Sequence, residues 1–454
     1  MTAKNPDILQ ALNPADCFTL AMDEQIRREN MPGSLCGFAL ELDKMPDVAE
    51  LTRRIEELVQ RFPVVQSSLQ QRGRRFYWCR RQQPRPIFFQ RHCPATDAAD
   101  PLRTYILEHI NRSAEPREAI NPLEFHLLSD GARHLFFMRW LHPLCDARGA
   151  DLILKYLNTA DPGQRQSFAE SEPLVDVQLR KFSFWQKIRL FLKAKRHIEQ
   201  LDRYRSIVPL QRDLPARRLN YSTHRFSAEQ TRLINSLARR QVGLTGTSLY
   251  YIGCLMRALE QITEQPEGDA YCVPYAFNLR RQKALTPLLG NHICPLFAQV
   301  PKPLLANRQR LFEHLKKQNA EVIRQQIDYA FLPAMWAASW LSLQKHGEQL
   351  RKSYHHGTER SSFWFSDIGQ PDSTTENFCQ AGVTGMFHLC QISTPPALAL
   401  LTCQFQKQLT LTYNFLEPLY DQSWLDRLHI AMTRELLNDH PGETAGTTNH
   451  PHDE

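Results

Sequence analysis

Residues 134–141, HLFFMRWL, are apolar on both faces of an extended chain, and the run stops at a His-Pro step. A strand of this composition belongs inside a sheet covered on both sides, which points to a layered α/β architecture. Pro143 pushes the residue before it away from helical angles, so the extended state persists to His142 and breaks immediately afterwards. His142 is therefore expected at a strand end, where side chains meet a cleft. Beyond it Ala150, Ile153, Leu154 and Leu157 recur at helical spacing, and Asp146 stands where it would cap that helix. The segment WLHPLCDARGADLIL thus places one histidine and one aspartate four positions apart between a strand and a helix.

A chain of 454 residues exceeds a single ordinary core and suggests two domains or more, taking about 150 residues per domain. With 42% apolar residues, 10% aromatics and only 18 glycines, the composition is globular. The first twenty residues lack the basic end and apolar stretch of a secretory signal, and no run reaches about 18 apolar residues. Eleven cysteines with no Cys-x-x-Cys pair argue against a disulfide framework or a zinc ribbon and fit a reducing cytoplasm. The formal charge of +7 favours anionic partners such as phosphorylated cofactors, acidic carrier proteins or membrane headgroups. No nucleic-acid recognition pattern is present, and no nucleic-acid partner is expected.

Along the chain, LCGFALEL (35–42) reads as a strand, followed by a helix with Val48, Leu51, Ile55, Leu58 and Val59 on one face that ends at Pro63. RRFYWC and PIFFQR read as short strands, PLRTYILEHINR as a helix, and LEFHLLSDGARHLFFMRWLH as two strands joined at Asp130 and Gly131. From Arg180 to Arg205 runs a basic helical stretch, followed by the proline-punctuated VPLQRDLPARR. The second half again mixes helices and strands. It has a helix capped by Ser227 with Gln230 at the capping-box position, strands at YCVPYAFNLR, HICPLFAQV, SSFWFSDIG, ALALLTCQF and QLTLTYNF, and helices over 304–326 and 421–437. The division expected is an N-terminal domain over 1–175, a connecting segment over 176–221, a C-terminal domain over 222–439 and a disordered tail over 440–454.

A neutral imidazole near pH 7 can take a proton from a hydroxyl or amine as that group attacks a carbonyl. The local pattern alone does not decide between this role and that of a satisfied core histidine for His142, the more ordinary occupant of a strand end, nor whether Asp146 is more than a plain helix cap. No Gly-x-Ser-x-Gly elbow is present, and no second histidine stands at metal-ligand spacing. A lone base implies direct transfer from an already activated acyl donor. Cys379, His388 and Cys390 match no standard metal spacing, so no metal is expected.

These residues resemble the acyltransferases that share a His-x-x-x-Asp motif: chloramphenicol acetyltransferase, condensation domains of nonribosomal peptide synthetases, wax ester synthases and polyketide-associated acyltransferases. The resemblance runs from ALNPADCFTLAMD and LVQRFPVVQSSL through the motif-bearing hairpin to VPYAFNLRRQ, LLGNHICPLF, FSDIG and LTLTYNFLEPLYDQSWLDRL. It implies an α/β (α+β) chain of two chloramphenicol-acetyltransferase-like domains, each a mixed sheet with helices, with a channel between them. It further implies His142 as general base, Asp146 and Arg280 as a buried structural pair, and Asn278, Ser366 and Asp367 as channel candidates. No tightly bound cofactor is implied. Acyl-CoA or an acyl-carrier phosphopantetheine thioester would be the co-substrate, an acyl carrier protein a partner, and a small-molecule or lipid-like hydroxyl or amine the acceptor.

Two positions depart from the family pattern. Leu141 replaces the second histidine that many relatives carry before the base, which argues against close kinship with peptide-forming condensation domains. Ala147 replaces the glycine that usually follows the aspartate. If that site required positive φ, alanine would cost about 1 kcal/mol there, and this keeps a catalytically inactive binding or accessory protein as the alternative.

Two further stretches carry options. RKFSFWQKIRLFLKAKRHIEQLDRYR holds nine basic and two acidic residues around Phe184, Trp185, Ile188, Phe191 and Leu192. It can lie peripherally on an anionic membrane through residues 180–205, or pack across the two domains with its basic chains snorkelling. FLPAMWAASWLSL is apolar enough to line an acyl tunnel or to serve as core.

Overall fold

A computed structural model describes residues 7–94, 100–112, 117–168, 173–209, 217–244, 246–264, 266–280, 287–352, 360–371 and 376–439; the tail expected over 440–454 lies outside them. The first part of the chain forms β1 (Ile8–Ala11), α1 (Pro14–Arg28), β2 (Leu35–Leu42), α2 (Val48–Arg61), β3 (Ser68–Arg72), β4 (Arg75–Cys79), β5 (Phe88–His92), α3 (Pro101–Ile110), β6 (Leu123–Ser129), β7 (His134–Leu141) and α4 (Ala147–Asn158). Helices α5 (Pro162–Arg165), α6 (Leu174–Lys181) and α7 (Phe184–Leu201) lead to β8 (Arg218–Arg225), α8 (Ala228–Val242), α9 (Thr247–Ile262), β9 (Ala270–Asn278) and β10 (Ile293–Pro301). The chain continues through α10 (Arg308–Arg324), α11 (Ile327–Ala338), α12 (Leu343–Lys352), β11 (Trp364–Gly369), β12 (Asn377–Phe378), β13 (Ala381–Cys390), β14 (Leu398–Phe405), β15 (Gln408–Glu417) and α13 (Gln422–Leu437).

The principal sheet of the first lobe has the order β12-β13-β2-β7-β6-β5 and is antiparallel except for the parallel β5/β6 pair. β7 lies inside this sheet, and Phe136, Phe137 and Met138 are fully buried, as its two apolar faces require. The Asp130 side chain closes the β6–β7 turn by accepting from the main-chain N–H groups of Ala132 and Arg133. On α4, Ala150, Ile153, Leu154 and Leu157 are buried, so the helical period seen in the sequence is the packed face. The second lobe holds a sheet of order β11-β14-β15-β8 and a β9-β10 hairpin.

The two lobes are interleaved along the chain. β13, from the second half, pairs antiparallel with β2 from Val383↔Leu42 to Cys390↔Cys36 and so extends the first lobe's sheet. Its glycines are places of close approach: a Cβ at Gly382 would stand 2.6 Å from an Asp43 carboxylate oxygen, and one at Gly385 would collide with Glu41 and Arg225. Arg225 on β8 meets Glu41 on β2 at 2.7 Å across the same junction.

The basic stretch expected as one helix from Arg180 is two. α6 ends at Lys181, and Ser183 starts α7 by accepting from Gln186 N–H while the Gln186 side chain accepts from Ser183 N–H, a capping box that restarts the helix. Leu190, Ala194 and Leu201 of α7 are buried, the first two in a cluster shared with Leu296 on β10 and with Ala330 and Phe331 on α11. In α11, Phe331, Leu332 and Met335 are core, whereas Trp336 and the Ser339, Trp340 and Leu341 that follow the helix border a cleft. Among the described residues no helix is long and apolar enough to cross a membrane.

Candidate active site

His142 follows β7 directly, and its N–H donates to the Ser34 carbonyl at 2.9 Å, carrying the sheet pairing one step past Leu141. The chain then turns, Leu144 N–H donating to the Leu141 carbonyl at 2.8 Å with Pro143 inside the turn. Cys145 bridges to Gly290, and Gly290 N–H reaches the Leu144 carbonyl at 2.6 Å. The loop that carries His142 is thereby stitched to the 287–292 segment of the second half.

Asn291 completes the stitching. Its Nδ2 donates to the His142 carbonyl at 2.8 Å and to Asp16 Oδ1 at 3.0 Å, while its main-chain N–H donates to the same Asp16 oxygen at 2.7 Å. Asp16 lies in the first turn of α1, where it also accepts from Asn13 N–H in a capping box. Asp16 and Asn291 are both fully buried. Burial pushes the Asp16 carboxyl up to about 7, even against the hydrogen bonds from Asn291 and Asn13.

The Asp146 carboxylate serves two roles at once. It caps α4 by accepting from Gly149 N–H at 2.9 Å, and it receives Arg280 Nη1 at 2.7 Å on each oxygen. His292 N–H donates to Oδ2 at 2.8 Å. Burial alone would raise this carboxyl, but Arg280 beside it holds it down at about 2, so it stays ionised. Among the described residues its hydrogen-bond donors do not include the His142 ring; they tie Asp146 to the start of α4, to Arg280 and to His292. Asn278 supports Arg280 from the main chain, its Oδ1 accepting from Arg280 N–H at 2.9 Å.

His142 is half-buried, and of its ring nitrogens Nδ1 is the one sealed from solvent without a partner. Burial depresses its pKa below 6.5, opposed by its own backbone, by Asp146 and by Asn291. The ring is therefore neutral at pH 7, the form a base needs.

Ala147 opens α4 and is absent from the positive-φ positions, so alanine carries no left-handed backbone strain there. The glycine that this corner does require is Gly149. A Cβ on it would stand 2.6 Å from the Leu288 carbonyl, 2.8 Å from Cys145 Cβ and 3.4 Å from Arg280 Nη2.

The remaining candidates lie apart from this network. Ser366 and Asp367 sit on β11, where Asp367 accepts from Ser248 Oγ at 2.8 Å, Thr402 Oγ1 at 3.0 Å and Gly369 N–H at 3.0 Å. Sequence reasoning misses Asp16, Asn291, His292 and Gly149. The signals that could have found them are the Asn13-Pro-Ala-Asp16 cap pattern and a polar Asn-His pair inside the apolar LLGNHICPLF.

Of two clefts among the described residues, neither has His142 in its wall. One, of about 190 Å³, shares α1 with the Asp16 network and is lined by Cys17, Arg75, Trp336, Trp340 and His346 among others. The other, of about 710 Å³, opens at the far end of β7 and is bordered by Asp43, Arg103, Arg133 and Tyr221.

No family model and no curated protein matches this sequence. Solved structures do match along nearly the whole chain. A trichothecene 15-O-acetyltransferase, TRI3 from Fusarium sporotrichioides, superposes with a TM-score of 0.70 at 11% identity, covering 94% of this chain and 95% of its own. The first condensation domain of the CDA synthetase gives a TM-score of 0.70 at 14% identity over 95% and 96% of the two chains. Polyketide synthase associated protein 5 from Mycobacterium tuberculosis gives 0.63 at 13% identity over 95% and 99%. The fold is thus the two-lobed one shared by this acetyltransferase and this condensation domain, as the resemblance in sequence implied.

Proposed function

We propose that this chain, having the fold of the acyltransferases and condensation domains, moves an acyl group from a thioester to a hydroxyl or amine with His142 as general base. The observation that carries this reading is a neutral, half-buried imidazole at a strand end, on a loop fixed from both lobes by Asn291 and by the Asp146–Arg280 pair. The donor is acyl-CoA or an acyl-carrier phosphopantetheine, and the acceptor is a small or lipid-like molecule.

His142 Nε2 takes the acceptor's proton as its oxygen or nitrogen bonds to the thioester carbonyl. The tetrahedral intermediate collapses with cleavage of the carbon–sulfur bond, and the departing thiolate recovers the proton from the imidazolium. No covalent enzyme intermediate forms. A reducing, cytoplasmic setting belongs to the same proposal and accords with eleven cysteines that are all free thiols.

The test is thiol release from a panel of acyl thioesters in the presence of alcohol and amine acceptors. His142→Ala should lower turnover by about 10² to 10⁴ while leaving the melt close to wild type. Undiminished turnover in that variant refutes the assignment, and tight thioester binding without release in the wild type would favour a non-catalytic binding protein.

A further inference from the structure

α7 is packed on one side only. Leu190, Ala194 and Leu201 face the body, while Phe184 and Trp185 are 69% and 73% exposed and Ile188, Phe191 and Leu192 also stand in solvent. At 3.6 residues per turn those five side chains share one outward arc of about 120°. Scattered exposed apolar residues are ordinary, but five large ones contiguous on one helix mark an interaction surface.

The charges around the arc are predominantly positive: α7 carries five lysines and arginines against one acid, Glu199 in its last turn. From Arg180 to Ile198 the sequence holds Arg180, Lys181, Lys187, Arg189, Lys193, Lys195 and Arg196 and no acid. Lys187 falls on one flank of the arc, Arg189, Lys193 and Arg196 on the other, and Lys195 within it. Lys193 is tied to the Gln325 carbonyl and Lys195 lies 3.7 Å from Glu199, which leaves most of the cationic flank facing outward.

We propose that α7 docks the protein onto an anionic phospholipid bilayer, its apolar arc entering the headgroup boundary and its lysines and arginines meeting the phosphates. A convex ridge of bulky side chains flanked by cations is the arrangement of interfacial helices. Each basic residue near such a surface adds attraction that salt weakens.

The experiment is cosedimentation of the full chain with vesicles of phosphatidylcholine alone and with about 30 mol % phosphatidylglycerol, at low and high salt. The protein should partition onto the anionic vesicles, less so at high salt, and hardly onto the neutral ones. Trp185→Ser/Phe191→Ser should lose about tenfold or more in partition with an unchanged melt. Ile430→Ser, which alters an exposed apolar residue on α13, should bind as wild type does. His142→Ala should also bind normally, which separates docking from the transfer chemistry. Absence of vesicle binding, equal binding by the double variant, or a self-associated wild type that the double variant converts to monomer would each overturn the proposal.

Discussion

Arg280 places one guanidinium nitrogen 2.7 Å from both carboxylate oxygens of Asp146, 134 residues away in the chain, with both side chains almost wholly buried. Removing either partner leaves a lone buried charge, whose cost is about 3–5 kcal/mol. Asp146→Ala and Arg280→Ala should therefore each lower the midpoint of chemical denaturation substantially, and a midpoint equal to wild type in both would contradict the pairing. Arg280→Lys keeps the charge but not the planar fork, and should fall between the two extremes.

The base assignment sets a pH dependence. Burial lowers the His142 pKa below its ordinary 6.5, so the neutral ring persists to more acidic pH than in a free histidine. The acid limb of a kcat/KM profile should accordingly lie below pH 6.5; a limb above that value is incompatible with this histidine as the base. The same shift links to stability: the unfolded chain takes up this proton first on acidification, so the native state loses stability as pH falls through and below 6.5.

Asp16 has the opposite linkage. Its carboxyl is raised from 3.8 to about 7, so between those values the native state holds a proton that the unfolded chain has released. Stability therefore falls as pH rises through this window, by at most about 1.4 kcal/mol per pH unit, and the full penalty remains above it. Asp16→Asn should flatten that slope in urea titrations run from pH 4 to pH 8, on the order of the same slope per unit. Parallel curves for variant and wild type would show that Asp16 does not titrate there.

The corner beside Asp146 tolerates a side chain at one position and rejects it at another. Gly149→Ala puts a methyl against the Leu288 carbonyl and Cys145, and should cost about 1–3 kcal/mol. Ala147→Gly, in ordinary helical backbone, should cost at most about 1 kcal/mol. Thermal melts of the two single variants decide the point, and a larger loss at 147 than at 149 would reverse it.

Local signals carried much of the fold. The strand over 35–42, the turn at Asp130 and Gly131, and the Ser227–Gln230 box stand where their residues placed them, because each is fixed by neighbours within a few positions. β13 was not legible: Gly382 and Gly385 break its strand pattern, and the reason for them, contact with Asp43, Glu41 and Arg225, lies in distant sequence. The Ser183–Gln186 box was present in the letters but was masked by the continuous basic, amphipathic run around it. At the site, His142, Asp146 and Arg280 do share one corner, with Asn278 behind Arg280. Asp16 and Asn291 were not foreseen because their meeting is purely tertiary, and Asp367 is occupied by Ser248 and Thr402.

The pairing of β13 with β2 governs how this protein can be dissected. A fragment ending near residue 175 would lack β13 and leave β2, with Phe38 and Leu40 at its centre, as a bare apolar border. Such borders recruit other chains, so the severed piece would self-associate instead of standing alone as a monomer. The complementary piece would carry an orphaned strand of its own, so neither half would close its sheet without the other.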